Sequence, residues 1–424
     1  MRPLAFGVLL LAVAFAWRPA AQSRVAEPYA GVLDEHPLIA YRLKPTRDRV
    51  AQLKSSVDSG SRSLDSRGPA GYLQSVLDAL DIAPESQVLV FSKTGIQRAV
   101  TGPQTPRALY FNDSVVVGYI AGAPFLELAA QDPEQGVVFY TIDQTRPTIA
   151  RRANCLTCHV SNNTMDVPGM IARSMFTSRD GDVLPQLGSH LVDHRTPLAH
   201  RWGRWFVTGS YPSPPYGGIG HMGNVTTTFH PTSGPAGTSN EVFIEWLNSA
   251  PETRGYASSA SDIVALMTFD HQMHAMNLLT RLNWETRIAA AEQPGRFTAG
   301  PLAQLVEQIV DYVLFVDEVP PPARLTPRPG FVERFVAAAP KDRRGRSLRD
   351  LDLERRLLRH PCSYTIDSAA FASLPAPAKQ AVYARIAAVL SGRDSRPKYA
   401  HLSSADRTAI VEILRDTHPQ FAAY

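Results

Sequence analysis

The chain has 424 residues, of which 44% are hydrophobic and 19% charged, and a formal net charge of +4. This composition describes a folded protein long enough for two or three domains and excludes a disordered chain. The small positive excess gives no ground for nucleic-acid binding or for attraction to an anionic membrane surface.

Arg2 is followed by an apolar run from Leu4 to Trp17 and then by Arg18-Pro19-Ala20-Ala21. A charged start, a short apolar stretch and small residues at the cut describe an export signal over residues 1–21. The run is shorter than the about 20 residues a membrane helix takes, so no stable membrane span is expected. Residues 22–144 read as an α+β scaffold domain. Tyr72, Leu73, Val76 and Leu80 have helical spacing, which predicts a helix over Pro69–Asp81. Strand-like runs follow at Gln87–Ser92, Ala108–Phe111, Val115–Ile120, Phe125–Ala130 and Val137–Asp143. Turn residues separate them at Asn112-Asp113, Ala121–Pro124 and Asp132–Gly136, and strands joined this closely must pair antiparallel.

Residues 145–237 are rich in Gly, Pro, His and Trp and lack clean periodicity. They contain Cys155-Leu156-Thr157-Cys158-His159. C-x-x-C-H is the attachment pattern for c-type haem: two thiols form thioethers to the vinyl groups, and the adjacent imidazole becomes an axial ligand of the iron. A zinc ribbon would need a second ligand pair, yet Cys362 is the sole remaining cysteine. A thioredoxin-like pair would follow a strand in a βαβ unit, which the preceding sequence does not suggest. Within the same region, Arg201-Trp202-Gly203-Arg204-Trp205 joins two guanidinium groups to two indoles. This suits haem propionates as well as it suits an ordinary core. His190, Asp193, His194 and His200 cluster where Gly188 and Pro197 argue for loop, so hydrogen-bonded or exposed histidines are expected before a second metal.

From residue 238 to 424 the reading is mostly helical. Helices are expected at Ala260–Ala291, Pro301–Val316, Arg346–Arg359, Pro377–Leu390 and Ser403–Asp416. Asp262 or Ser261 caps the first, and Gly392 stops the fourth. Charges alternating with leucines over Arg346–Arg359 suggest paired charges on the wet face of an amphipathic helix. Cys362 reads as a buried, inert thiol. The fold class is therefore α+β: an N-terminal antiparallel β meander with a helix, a central loop-rich haem region, and a C-terminal helical region.

The five residues Cys155–His159 resemble the haem-binding motif of the c-type cytochromes. Over a longer span the chain is similar to secreted bacterial proteins known only as cytochrome c domain-containing, with no assigned reaction. The stretches Ala108–Asn112, Cys155–Val160, Arg201–Gly209, His221–Asn224 and Arg359–Tyr364 carry that likeness. The resemblance implies one covalent haem c held by Cys155 and Cys158, with His159 as proximal ligand, in a periplasmic or secreted protein with an unknown redox partner protein. It also implies a distal ligand at Met222, because its separation from His159 and its Pro- and Gly-rich loop match the small monohaem cytochromes. His221 is the neighbouring candidate. Met267, His271, His274 and Arg281 form a stripe on the long helix that offers another. The expected role is electron transfer. The alternative is a haem-dependent oxidoreductase or peroxidase-like enzyme with an open sixth position, favoured by a length well beyond the about 100 residues of a small domain.

Overall fold

The computed structural model describes residues 33–178, 180–208, 255–292 and 300–424. It contains helices and antiparallel sheet, as an α+β protein should. The strands are β1 Val88–Val90, β2 Arg107–Phe111, β3 Val115–Tyr119, β4 Phe125–Asp132, β5 Gly136–Asp143 and β6 Ile149–Arg151. Each pairs antiparallel with the next. Asx turns make the reversals between β2 and β3 and between β4 and β5. Asn112 Oδ1 accepts from the amides of Ser114 and Val115, and Asp132 Oδ1 from those of Glu134 and Gln135. Gly136 closes the second turn at φ +73°, where a Cβ would also lie 2.3 Å from Thr280 Cγ2, so glycine is required twice over.

The register sorts this sheet into two buried faces. Tyr110, Val117, Leu128 and Tyr140 are cross-strand neighbours on one. Helices α1 (Arg49–Asp58) and α2 (Leu73–Leu80) cover that side, with Tyr140 Oη donating to Asp48 Oδ2 at 2.6 Å. Phe111, Val116, Ala129 and Phe139 line the other face. It receives α4 (Ile263–Glu292), through Phe269 edge-on to Phe111 at 5.1 Å and Gln131 donating to Thr280. The one-turn helix α3 (Leu156–His159) meets the same face further along.

After α3 come β7 (Arg173–Met175), β8 (Ser189–Leu191) and β9 (Trp205–Phe206). β7 and β8 form a separate pair, while β9 returns to the large sheet beside β1 and becomes its edge. Asp262 caps α4 by accepting from the amides of Val264 and Ala265. This helix is buried on nearly every side, as befits a central element. Against it lie α5 (Pro301–Val313), α6 (Phe331–Ala337), α7 (Ala369–Ala372) and α8 (Ala376–Leu390). α9 (Ser404–Thr417) packs on α8. Among the described residues no helix is long and apolar enough to cross a membrane.

One expected helix is not formed. Arg346–Arg359 folds as turns around an isolated bridge between Leu351 and Leu358. Asp342, Ser347, Asp350 and Asp352 each take backbone amides onto their side chains, offering the chain an alternative to helical bonding. Nor does Arg349 lie on a wet face: it is buried about 5 Å from the rings of Phe335 and Tyr364 and pairs with Asp113.

Candidate haem-attachment site

Edge strand β6 leads into a 3₁₀ turn at Ala153–Cys155 and then into α3. The turn is anchored where the Arg152 amide donates to Phe139 O at 2.8 Å and Arg152 Nε donates to Thr141 Oγ1. Cys155 and Cys158 fall three residues apart on one helical turn, so both side chains emerge on the same side. Both are free thiols; Cys155 is half-buried and Cys158 exposed. Burial raises the Cys155 thiol above its ordinary range, assisted by Glu127 and opposed by Arg152. No disulfide links the pair, and both sulfurs remain open to covalent attachment.

His159 is oriented from two directions. Its ring packs against Phe139 with centroids 4.5 Å apart, and its Nδ1 lies 2.9 Å from Gly169 O. A carbonyl can only accept, so Nδ1 carries the proton and Nε2 presents its lone pair. The return bond, Gly169 amide to His159 O at 3.0 Å, closes the two segments on each other. Burial lowers the proton affinity of the imidazole, outweighing the Gly169 contact, and holds it neutral. A neutral imidazole with one nitrogen engaged by a carbonyl and the other free is the form in which histidine ligates metal.

The loop that carries Gly169 is itself fixed by α4. Asn277 donates through Nδ2 to Met170 O at 2.8 Å and accepts the Met170 amide at 3.2 Å. A Cβ on Gly169 would fall 2.1 Å from Asn277 Oδ1. Arg281 donates to Met165 O at 2.8 Å while its guanidinium pairs with Glu285 at 2.7 Å. Nothing in the sequence pointed to Gly169, Asn277 or Phe139, because their roles arise through a backbone carbonyl, across more than a hundred residues, or from how α3 packs on the sheet.

The structure thus brings Cys155, Cys158 and His159 together on one turn. Met222 and His221 lie outside the described residues, as does the expected signal over residues 1–21. The helical stripe offers no ready ligand from His271. That ring is buried, with Nδ1 3.0 Å from His194 Nδ1, Nε2 2.6 Å from Ser363 Oγ, and both faces against Tyr312 and Phe315. His274 lies 3.4 Å from Arg195 Nη2. Asp193 is taken by a two-pronged contact from Arg195. Arg201 is buried and donates to the carbonyls of Thr196 and His194, and Trp202 Nε1 donates to Asp270 at 2.6 Å. His190 and His200 face each other edge-on at 5.3 Å. Among the described residues no three His, Cys, Asp or Glu side chains are grouped to hold a metal ion.

The chain matches no protein-family model, no curated protein and no solved structure.

Proposed function

We propose that this protein is a monohaem c-type cytochrome that transfers single electrons outside the cytoplasm, with residues 145–237 as its cytochrome c-like region. Cys155 and Cys158 hold the haem through thioethers, His159 is the proximal ligand and Met222 the distal one. The observation that carries this reading is the His159 Nδ1 contact to Gly169 O at 2.9 Å, which leaves Nε2 as the free donor beside two open thiols. The donor set fits haem c better than zinc, which would need further ligands of the same kind. When bound, haem supplies a reversible one-electron couple at its iron. The protein's part is to fix the imidazole through Gly169 and Phe139, to keep it neutral, and to shield the attachment turn with the sheet. The redox partner is a second protein.

The test is expression of the full chain in a host that matures c-type cytochromes. The purified protein should be coloured, carry the added mass of one haem, and lose both when Cys155 and Cys158 are replaced by Ala. His159→Ala should keep the covalent mass and change the iron spectrum. Met222→Ala should yield a form that binds carbon monoxide when reduced, whereas the parent does not. Ready carbon monoxide binding by the parent would instead favour an enzyme with an open sixth position. A colourless, unmodified product would end the haem reading.

A further inference from the structure

Three arginines from distant parts of the chain come together beside the end of β1. Arg107 opens β2, Arg173 opens β7, and Arg204 immediately precedes β9. β1 holds them near one another, since Val90 is the register partner of both Arg107 and Trp205. Arg107 Nη2 donates to Thr94 O at 2.6 Å, and Arg204 Nη1 donates to Ser92 Oγ at 2.9 Å, two residues away. Arg204 Nε and Trp205 Nε1 both donate to the carbonyl of Arg173.

The charges of this group do not balance. Among the described residues Glu127 is the one carboxylate in contact, its Oε2 3.4 Å from Arg107 Nε. Arg107 is 8% exposed, and the Nε atoms of Arg107 and Arg173 are both buried without a hydrogen bond. Arg204 is pushed down to about 9 by burial and then by the fields of Arg107 and Arg173. Arg173 and Arg204 are half-buried, yet one carboxylate among three guanidinium groups and two Nε atoms left without an acceptor suit the cluster to an anion. The group is also close to the attachment turn: Arg107 and Glu127 lie on the sheet face of Phe111, Ala129 and Phe139, and Phe139 packs on the His159 ring.

We propose that Arg107, Arg173 and Arg204 form a carboxylate-binding cluster, filled by the two propionates of the haem attached at Cys155 and Cys158. This rests on the haem reading above. Two propionates supply the charge that the cluster lacks, and guanidinium forks match carboxylates in geometry. Of the arginine pair Arg201 and Arg204 in the sequence motif, only Arg204 faces the cluster, because Arg201 is spent on internal carbonyls.

The experiment compares the holoprotein with its R173Q, R107Q and R173K variants, following the propionate bending band in the resonance Raman spectrum. R173Q should shift the band, R173K should restore most of it, and R107Q serves as a second, independent reading. The same proteins are titrated with succinate by calorimetry. If the band is unmoved but the parent binds succinate and R173Q loses tenfold or more in affinity, the cluster takes a carboxylate from solution, and the propionate assignment falls. An attached haem with an unmoved band and no succinate binding overturns the proposal while leaving the haem reading intact. A colourless chain sinks the haem reading and the propionate assignment together, and succinate binding then decides whether the cluster takes carboxylates at all.

Discussion

His159 and His271 are both histidines held neutral by burial, yet the protein uses them in opposite ways. His159 gives one nitrogen to a backbone carbonyl and keeps the other free, at a turn where two thiols are also uncommitted. His271, with its proton affinity lowered to about 3 by burial, has both nitrogens engaged and both faces stacked. One imidazole keeps a nitrogen uncommitted and the other completes a core. The lesson is that a histidine's partners, rather than its burial, separate a site from a scaffold.

The comparison can be broken by experiment. Replacing Cys155 and Cys158 with Ala should abolish covalent haem entirely, read by mass and absorbance, with little loss of folding. Replacing His271 with Ala should do the reverse. It removes stacking on Tyr312 and Phe315 and takes away the Nδ1 partner of His194, costing about 3 kcal/mol in denaturant unfolding while haem stoichiometry is kept. If H271A instead loses haem and keeps its stability, the two roles have been assigned the wrong way round.

Gly169→Ala sharpens the contrast, because it lies in the support of His159 and not in the donor set. The new methyl meets Asn277 Oδ1, so the loop must shift, at about 1–3 kcal/mol, and the axial-ligand spectrum should change with haem still attached.

The smallest expected effect concerns the second region and pH. Asp270 is buried and raised to about 8, chiefly by burial and against the pull of Arg201 and Trp202. An acid whose folded value is raised contributes stability that is present below its unfolded value near 3.8 and is lost as pH rises through the folded one. His271 and His274, neutral when folded, oppose this only weakly, because their unfolded counterparts lose their protons just above pH 6.5. Stability should therefore fall between pH 6.5 and 8, and D270N should remove part of that fall. The remainder comes from Glu318, which burial raises to about 7. Unfolding curves at three or four pH values check this; equal slopes for parent and D270N would exclude Asp270 as the source.

Several features were legible along the chain. The meander was visible in short β-branched runs between Asn, Asp and Gly turns, and the turns use those side chains in local bonds. The long helix over Ile263–Glu292 begins within three residues of the expected Ala260, with Asp262 as its cap. Arg346–Arg359 misled because alternating charge and leucine fits either a wet helix or a succession of turns. There, side-chain capture of backbone amides won.

What the sequence by itself determined is the Cys155–His159 turn, because the spacing of this local pattern alone places two thiols and an imidazole on one helical turn. What only the tertiary structure decided is which groups surround that turn. Phe139, Gly169, Asn277 and the three arginines meet there through sheet register and a helix that crosses behind the loop. Contacts between residues so far apart leave no periodic trace in the chain, since they depend on how separate elements pack rather than on any one element's own pattern.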